Sequence, residues 1–148
     1  MNRSEALSDV IGSKAKPFAW PVRVYYEDTD LGGIVYYANY LKFMERARTE
    51  WLRSLGFDMS AMAREHRCQF VAQRAEVDYL APARLDDQLL ATVAIMRHGH
   101  ARLVLGQDVL KDGARIAAGK VTLACITTDT WQPTPMPVPL KRILESLS

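Results

Sequence analysis

The chain has 148 residues, of which 49% are hydrophobic and 24% charged, with a formal net charge of +2. This is the size of one domain that buries about two-thirds of the surface its unfolded form exposes, and its composition carries no signature of disorder or collagen. Basic residues spread along the chain give no broad nucleic-acid surface, and no apolar run approaches transmembrane length.

Residues 1–21, rich in Ser, Lys and Ala, read as a flexible leader. They lack the continuous apolar stretch of a secretory signal, so a cytoplasmic protein is expected. Val22 to Glu27 (VRVYYE) is β-branched and aromatic and predicts a strand. DTDLGGIV follows, where Gly32 and Gly33 mark a turn or a close backbone approach. From Tyr37 to Leu55 the pattern becomes helical. Tyr40, Leu41, Met44, Ala47, Trp51, Leu52 and Leu55 recur at three- and four-residue steps and form one apolar stripe, and Gly56 supplies the stop.

Asp58 to Arg67 reads as a connection. Val71, Ala75, Val77 and Tyr79 then alternate with Arg74, Glu76 and Asp78, a strand with one wet face ended by Pro82. Asp87 to Met96 and Ala101 to Leu110 are joined by the turn Arg97-His98-Gly99-His100. Asp112-Gly113 is a hairpin signal leading into Ala114 to Thr128. Short turns join antiparallel strands, so a meander is expected. The tail WQPTPMPVPLKRILESLS is proline-spaced and extended, with a short helical turn at its end. A lone striped helix must bury its stripe against the sheet. The expected fold is therefore α+β: an antiparallel sheet of about five strands around one long central helix. The domain would span 22–130, and the tail 131–148.

The chemistry concentrates between Tyr25 and Arg53. Glu27, Asp28 and Asp30 stand just before a glycine turn and a helix start, whose free N–H groups and positive dipole end suit an anion or an oxyanion. A carboxylate beside such donors can attack a carbonyl or activate water. The same acids serve equally as cap or turn residues, so this arrangement alone leaves both roles open. Cys68 and Cys125 have neither metal-ligand spacing nor disulfide density, and Cys125, inside VTLACIT, reads as a small hydrophobe. His98 and His100 have no acidic or cysteine ligand at a standard spacing, so neither metal nor cofactor is expected.

YYEDTDLGGIVYYANYLKFMERARTEWLR closely resembles the signature of the 4-hydroxybenzoyl-CoA thioesterase family, especially its Tol-Pal-associated branch of short-chain acyl-CoA thioesterases. FVAQRAEVDYLAPARLDDQL resembles that family's second strand and its turn. The resemblance implies a hotdog fold, a sheet wrapped around a central helix, and hydrolysis of acyl-CoA thioesters. It matches the catalytic aspartate to Asp30, as nucleophile or as general base. It matches the carbonyl-polarising N–H to the backbone of Tyr37, with Gly33 letting the loop approach substrate. The Tol-Pal-associated branch usually carries a histidine where Tyr37 stands, whereas the aromatic side chain resembles the aryl-CoA branch. Short-chain aliphatic and aromatic acyl groups are therefore both expected classes.

In another hotdog branch the carboxylate comes from the central helix, which makes Glu45 a second candidate against an interhelical or intersubunit ion pair of the ERAR run. By resemblance, Arg97, His98, His100 and Arg102 would hold the CoA phosphates. The resemblance further implies a homodimer or homotetramer and suggests an acyl carrier protein as partner. Two other readings stand beside hydrolysis: a hotdog enoyl-thioester hydratase or dehydratase, and a non-catalytic module that binds acyl-CoA or acyl carrier protein.

Overall fold

The computed structural model describes residues 17–148. Residues 1–16 of the expected leader lie outside the described residues. The first strand, β1 (Phe18–Arg23), begins four positions before the expected Val22 and ends at Arg23. Its ladder runs from Phe18↔Val93 to Arg23↔Gln88. Tyr26–Asp28 form a 3-10 turn instead of strand, because the Asp28 carboxylate accepts the Tyr25 N–H at 2.8 Å. A local side-chain acceptor thus overrides the β-propensity of VYYE.

The long helix α1 (Asn39–Ser54) buries Tyr40, Phe43, Met44, Ala47, Trp51 and Leu52. Leu41, expected on the stripe, points outward at 40% exposure, and Phe43 is fully buried instead. Gly56, at φ +92, ends the helix. The expected connection Asp58 to Arg67 is itself helical, α2 (Met59–His66). Asp58 caps it by accepting the Ala61 N–H at 2.7 Å, Met62 pins it to the core, and Arg67 ends it in the left-handed conformation.

Five further strands follow: β2 (Cys68–Tyr79), β3 (Gln88–His98), β4 (Arg102–Gly106), β5 (Val109–Lys111) and β6 (Ala114–Thr127). All pairings are antiparallel. β3, β4 and β6 pair in succession as the expected meander, with β5 bridging β3 and β6, and the full order is β1-β3-β4-β6-β2. β2 lies beside β6 at the far edge, because strand periodicity carries no information about which strand is the neighbour. The expected run Ala101 to Leu110 is two strands. Gln107 breaks it by turning its amide to the Met44 carbonyl of α1, at 2.7 Å. Asp108 pairs with Thr92 instead, donating to its hydroxyl at 3.0 Å. The Asp112-Gly113 hairpin forms as expected, with both residues at positive φ.

The helix α1 packs across β1 and β3, over an inner layer that includes Leu89, Ala91, Val93, Leu103, Leu105, Val121 and Leu123. In the tail, α3 (Val138–Leu147) runs well beyond a short turn. Leu140 and Leu144 of α3 are fully buried, and Lys141 Nζ lies 2.8 Å from His98 Nδ1. No helix of the described residues is long and apolar enough to cross a membrane.

Candidate active site

The segment Asp28 to Tyr36 doubles back on itself. Thr29 and Val35 form an antiparallel bridge, the Asp30 N–H donates to Ile34 O at 2.9 Å, and the Tyr36 N–H donates to Asp28 O at 2.9 Å. Gly33 sits at φ +80 in the turn, with open space where a Cβ would be; its role is to supply the left-handed backbone. The loop is hooked to the β2–β3 connection through Val35 N–H to Ala83 O at 2.9 Å and the Ile34↔Arg84 bridge.

This folding separates the three acids. Asp28 is buried and committed to structure: its carboxylate holds Tyr25, and its carbonyl accepts the Asn39 side-chain amide at 2.9 Å. Glu27 lies in a groove with Trp20, Arg23 and Arg46. Asp30 is exposed. One oxygen, Oδ1, accepts the Gly32 N–H at 2.8 Å, which orients the carboxylate while Oδ2 makes no hydrogen bond to any described residue. The Tyr36 phenol is held above the ordinary tyrosine range by its hydrogen bond to Tyr37, then by the Tyr37 charge, desolvation and the Asp30 charge.

The start of α1 is open. Ala38, at its N-cap position, makes no side-chain cap, and the first turn carries no acid. Among the described residues, the N–H groups of Tyr37 and Ala38 have no acceptor. Uncapped donors at the positive end of a sixteen-residue helix can stabilise an oxyanion, and an oriented carboxylate in the preceding loop can supply a nucleophile or base. Tyr36, Tyr37 and Tyr79 surround this point. Tyr36 and Tyr37 have ring centroids 4.9 Å apart, and Tyr37 meets Tyr79 edge-on at 6.0 Å.

The basic turn does not stay together. Successive strand residues point to opposite faces, so Arg97 and His98 part. Arg97 and Arg102 line a depression of about 290 Å³ with Arg74, Lys120, Gln73, Glu76 and Thr122. The register explains it: Arg97↔Val104, Val104↔Thr122 and Arg74↔Thr122 form one cross-strand row. His98 is instead engaged by Lys141, and the exposed His100 offers its carbonyl to Met136 at 2.8 Å. Sequence reasoning missed Arg74 and Lys120 as members of this patch. The signal lay in the wet face of β2, but only the β2–β6 register brings it to Arg97.

Glu45 accepts the Thr49 hydroxyl at 2.8 Å and lines a cavity of about 140 Å³ with Arg48, Leu52, Met59 and Phe70. Burial lowers the Arg48 pKa, and the Glu45 charge opposes that shift. Cys68 and Cys125 are buried free thiols. Burial and the neighbouring Cys68 push Cys125 up to about 12, which fits a packing role rather than a nucleophile. No group of three potential metal ligands occurs among the described residues.

Comparisons with known proteins agree with this architecture. A family model described as "Thioesterase-like superfamily" matches residues 24–144. The chain is 37% identical over 130 residues to "Acyl-CoA thioesterase YbgC" of Haemophilus influenzae, covering 88% of this chain and 96% of that one. It is 42% identical over 121 residues to "Acyl-CoA thioester hydrolase YbgC" of Escherichia coli, covering 81% and 90% respectively. Among solved structures, a probable thioesterase from Bartonella henselae superposes with a TM-score of 0.78 at 33% identity, covering 82% of this chain and 99% of that one. The chain therefore belongs to the thioesterase-like superfamily and has its hotdog fold.

Proposed function

We propose that the protein hydrolyses acyl-CoA thioesters to the free acid and CoA, with Asp30 and the start of α1 as the reacting site. The observation that carries this reading is the hairpin Asp28 to Tyr36. It holds an oriented, exposed carboxylate in the loop that leads directly into a helix start whose Tyr37 and Ala38 N–H groups have no acceptor among the described residues. The Tyr37 N–H polarises the thioester carbonyl. Asp30 then either attacks the carbonyl carbon or takes a proton from an attacking water.

In the first route Asp30 forms a mixed anhydride, the C–S bond breaks, CoA leaves as thiolate and takes a proton from solvent, and water cleaves the anhydride. In the second, the C–S bond breaks after water has added. Single turnover in ¹⁸O-water identifies the anhydride route when water opens it at the aspartyl carbon, because label then enters the Asp30 carboxylate. Label found only in the product acid is the outcome of the general base and also of an anhydride opened at its acyl carbon.

Short-chain aliphatic acyl-CoA is the first substrate class to test and aromatic acyl-CoA the second, since the exposed Tyr36, Tyr37 and Tyr79 rings offer an aromatic wall. Arg74, Arg97, Arg102 and Lys120 form a basic depression that suits the phosphates of CoA. An acyl carrier protein, which bears the same pantetheine arm, is the second acyl donor to test. The twelve-residue β2 is an edge strand, and its segment Ala72 to Glu76 is exposed. A bare edge of that length invites pairing, which supports a homodimer joined there, alone or within a homotetramer.

The direct test is release of CoA thiol from a series of acyl-CoA substrates. Steady release from at least one class supports the proposal. Binding without release would instead make the chain a recognition module, and water addition to an enoyl-CoA without release would make it a hydratase.

A further inference from the structure

We infer that Tyr79 of β2 is a positioning residue for this hydrolysis, fixing the Ala38 N–H as a second donor to the oxyanion through the Tyr37 carbonyl; the inference rests on the reading of Asp30 and the α1 start given above. The Tyr79 hydroxyl donates to Tyr37 O at 3.0 Å across 42 residues of sequence. That oxygen and the Ala38 N–H belong to one planar peptide group, so holding the one orients the other. A hydrogen bond to an amide oxygen also polarises the amide and strengthens its N–H as a donor.

The neighbouring peptide is built the same way. The Tyr37 N–H shares its plane with Tyr36 O, which accepts the Asn39 N–H at 2.8 Å. Each of the two open N–H groups therefore sits on a peptide whose carbonyl is already engaged. The helix backbone engages one, and a side chain from the sheet engages the other. Tyr79 is itself held in place, packing edge-on against Tyr37 and against Tyr40, whose ring centroid is 5.5 Å away. Tyr40 in turn packs on Phe43 in the core. Burial and the Tyr37 phenol raise the Tyr79 pKa, so the group stays a donor through neutral pH.

The test is Tyr79→Phe in the full chain, which removes the hydroxyl and keeps the ring, assayed by thiol release beside Asp30→Asn. Removing a direct oxyanion donor costs on the order of 10²–10³ in kcat, so weakening one at second hand should lower kcat by about tenfold. KM should stay within about twofold, because the lost interaction acts in the transition state, and Tm should not move. Asp30→Asn inactive with Tyr79→Phe at wild-type kcat would overturn the Tyr79 role alone. A rise in KM matching the loss of kcat/KM would also overturn it, making Tyr79 part of a binding wall. Full turnover by Asp30→Asn would overturn the site reading and the Tyr79 role together.

Discussion

Gly119 offers a measurement of how closely α1 lies on the sheet. A Cβ built there would stand 2.5 Å from the Gln107 carbonyl oxygen and 2.8 Å from the Met44 methyl. The Met44 tip can swing aside, but the Gln107 oxygen is backbone and has little room to yield. The Gln107 N–H donates to Gly119 O at 2.9 Å, and its side chain is tied to the Met44 carbonyl of α1. Relief of the clash must therefore push β6 from the Gln107 segment, or lift α1.

Overpacking of this kind costs about 1–3 kcal/mol, and a backbone contact belongs at the upper end. At about 2–4 °C per kcal/mol for a chain this long, Gly119→Ala should lower Tm by roughly 5–10 °C. Calorimetry with parallel urea titration measures it, the urea midpoint falling at constant slope. Thiol release should fall as well, because the proposed donors Tyr37 and Ala38 stand at the start of α1. A Tm within about 1 °C of wild type would refute the argument, showing that the Gln107 backbone gives way freely.

Other outcomes follow from single features. Cys68 and Cys125 should resist a thiol reagent at pH 8 in the native protein and both react in guanidinium, since burial raises the pKa of each. Burial would raise the Asp87 pKa, but the Lys111 ammonium at 2.8 Å and the Arg84 N–H at 2.7 Å outweigh it and hold Asp87 below its ordinary value. A depressed carboxylate adds stability that is present above its unfolded pKa and lost as pH falls through the folded one. Asp87→Asn should therefore lower Tm at pH 7 and flatten the acid limb below about pH 4; the pair is part-exposed, so the effect should stay under about 1 kcal/mol. Arg97→Glu with Arg102→Glu should raise KM for acyl-CoA and weaken its salt dependence while sparing kcat, measured by thiol release across ionic strength. Leu144→Ala should cost about 2–5 kcal/mol if α3 unfolds with the domain, and less if α3 detaches alone; hydrogen exchange at α3 distinguishes the two.

Where the chain signals its structure locally, the sequence could be read. The α1 stripe is visible because buried residues recur every three or four positions, though Leu41 and Phe43 compete for it and only packing chooses Phe43. The Asp112-Gly113 turn is local chemistry and reads directly. The position of β2 beside β6 is not local, nor is the break at Gln107, whose amide answers a helix carbonyl 63 residues away. The site divides the same way. EDTD and the glycine turn mark the acid-bearing loop, yet only the folded loop shows Asp28 consumed by structure and Asp30 exposed. The RHGHAR turn looks like one basic cluster until strand alternation sends His98 to Lys141 and Arg97 to Arg74 and Lys120.

Whether Asp30 performs the proposed chemistry is decided by thiol release from Asp30→Asn against wild type on the best acyl-CoA substrate. The asparagine keeps an oxygen to accept the Gly32 N–H, so the loop should fold and Tm should hold. The expected loss is about 10²–10⁴ in kcat. Wild-type turnover by that variant would contradict it.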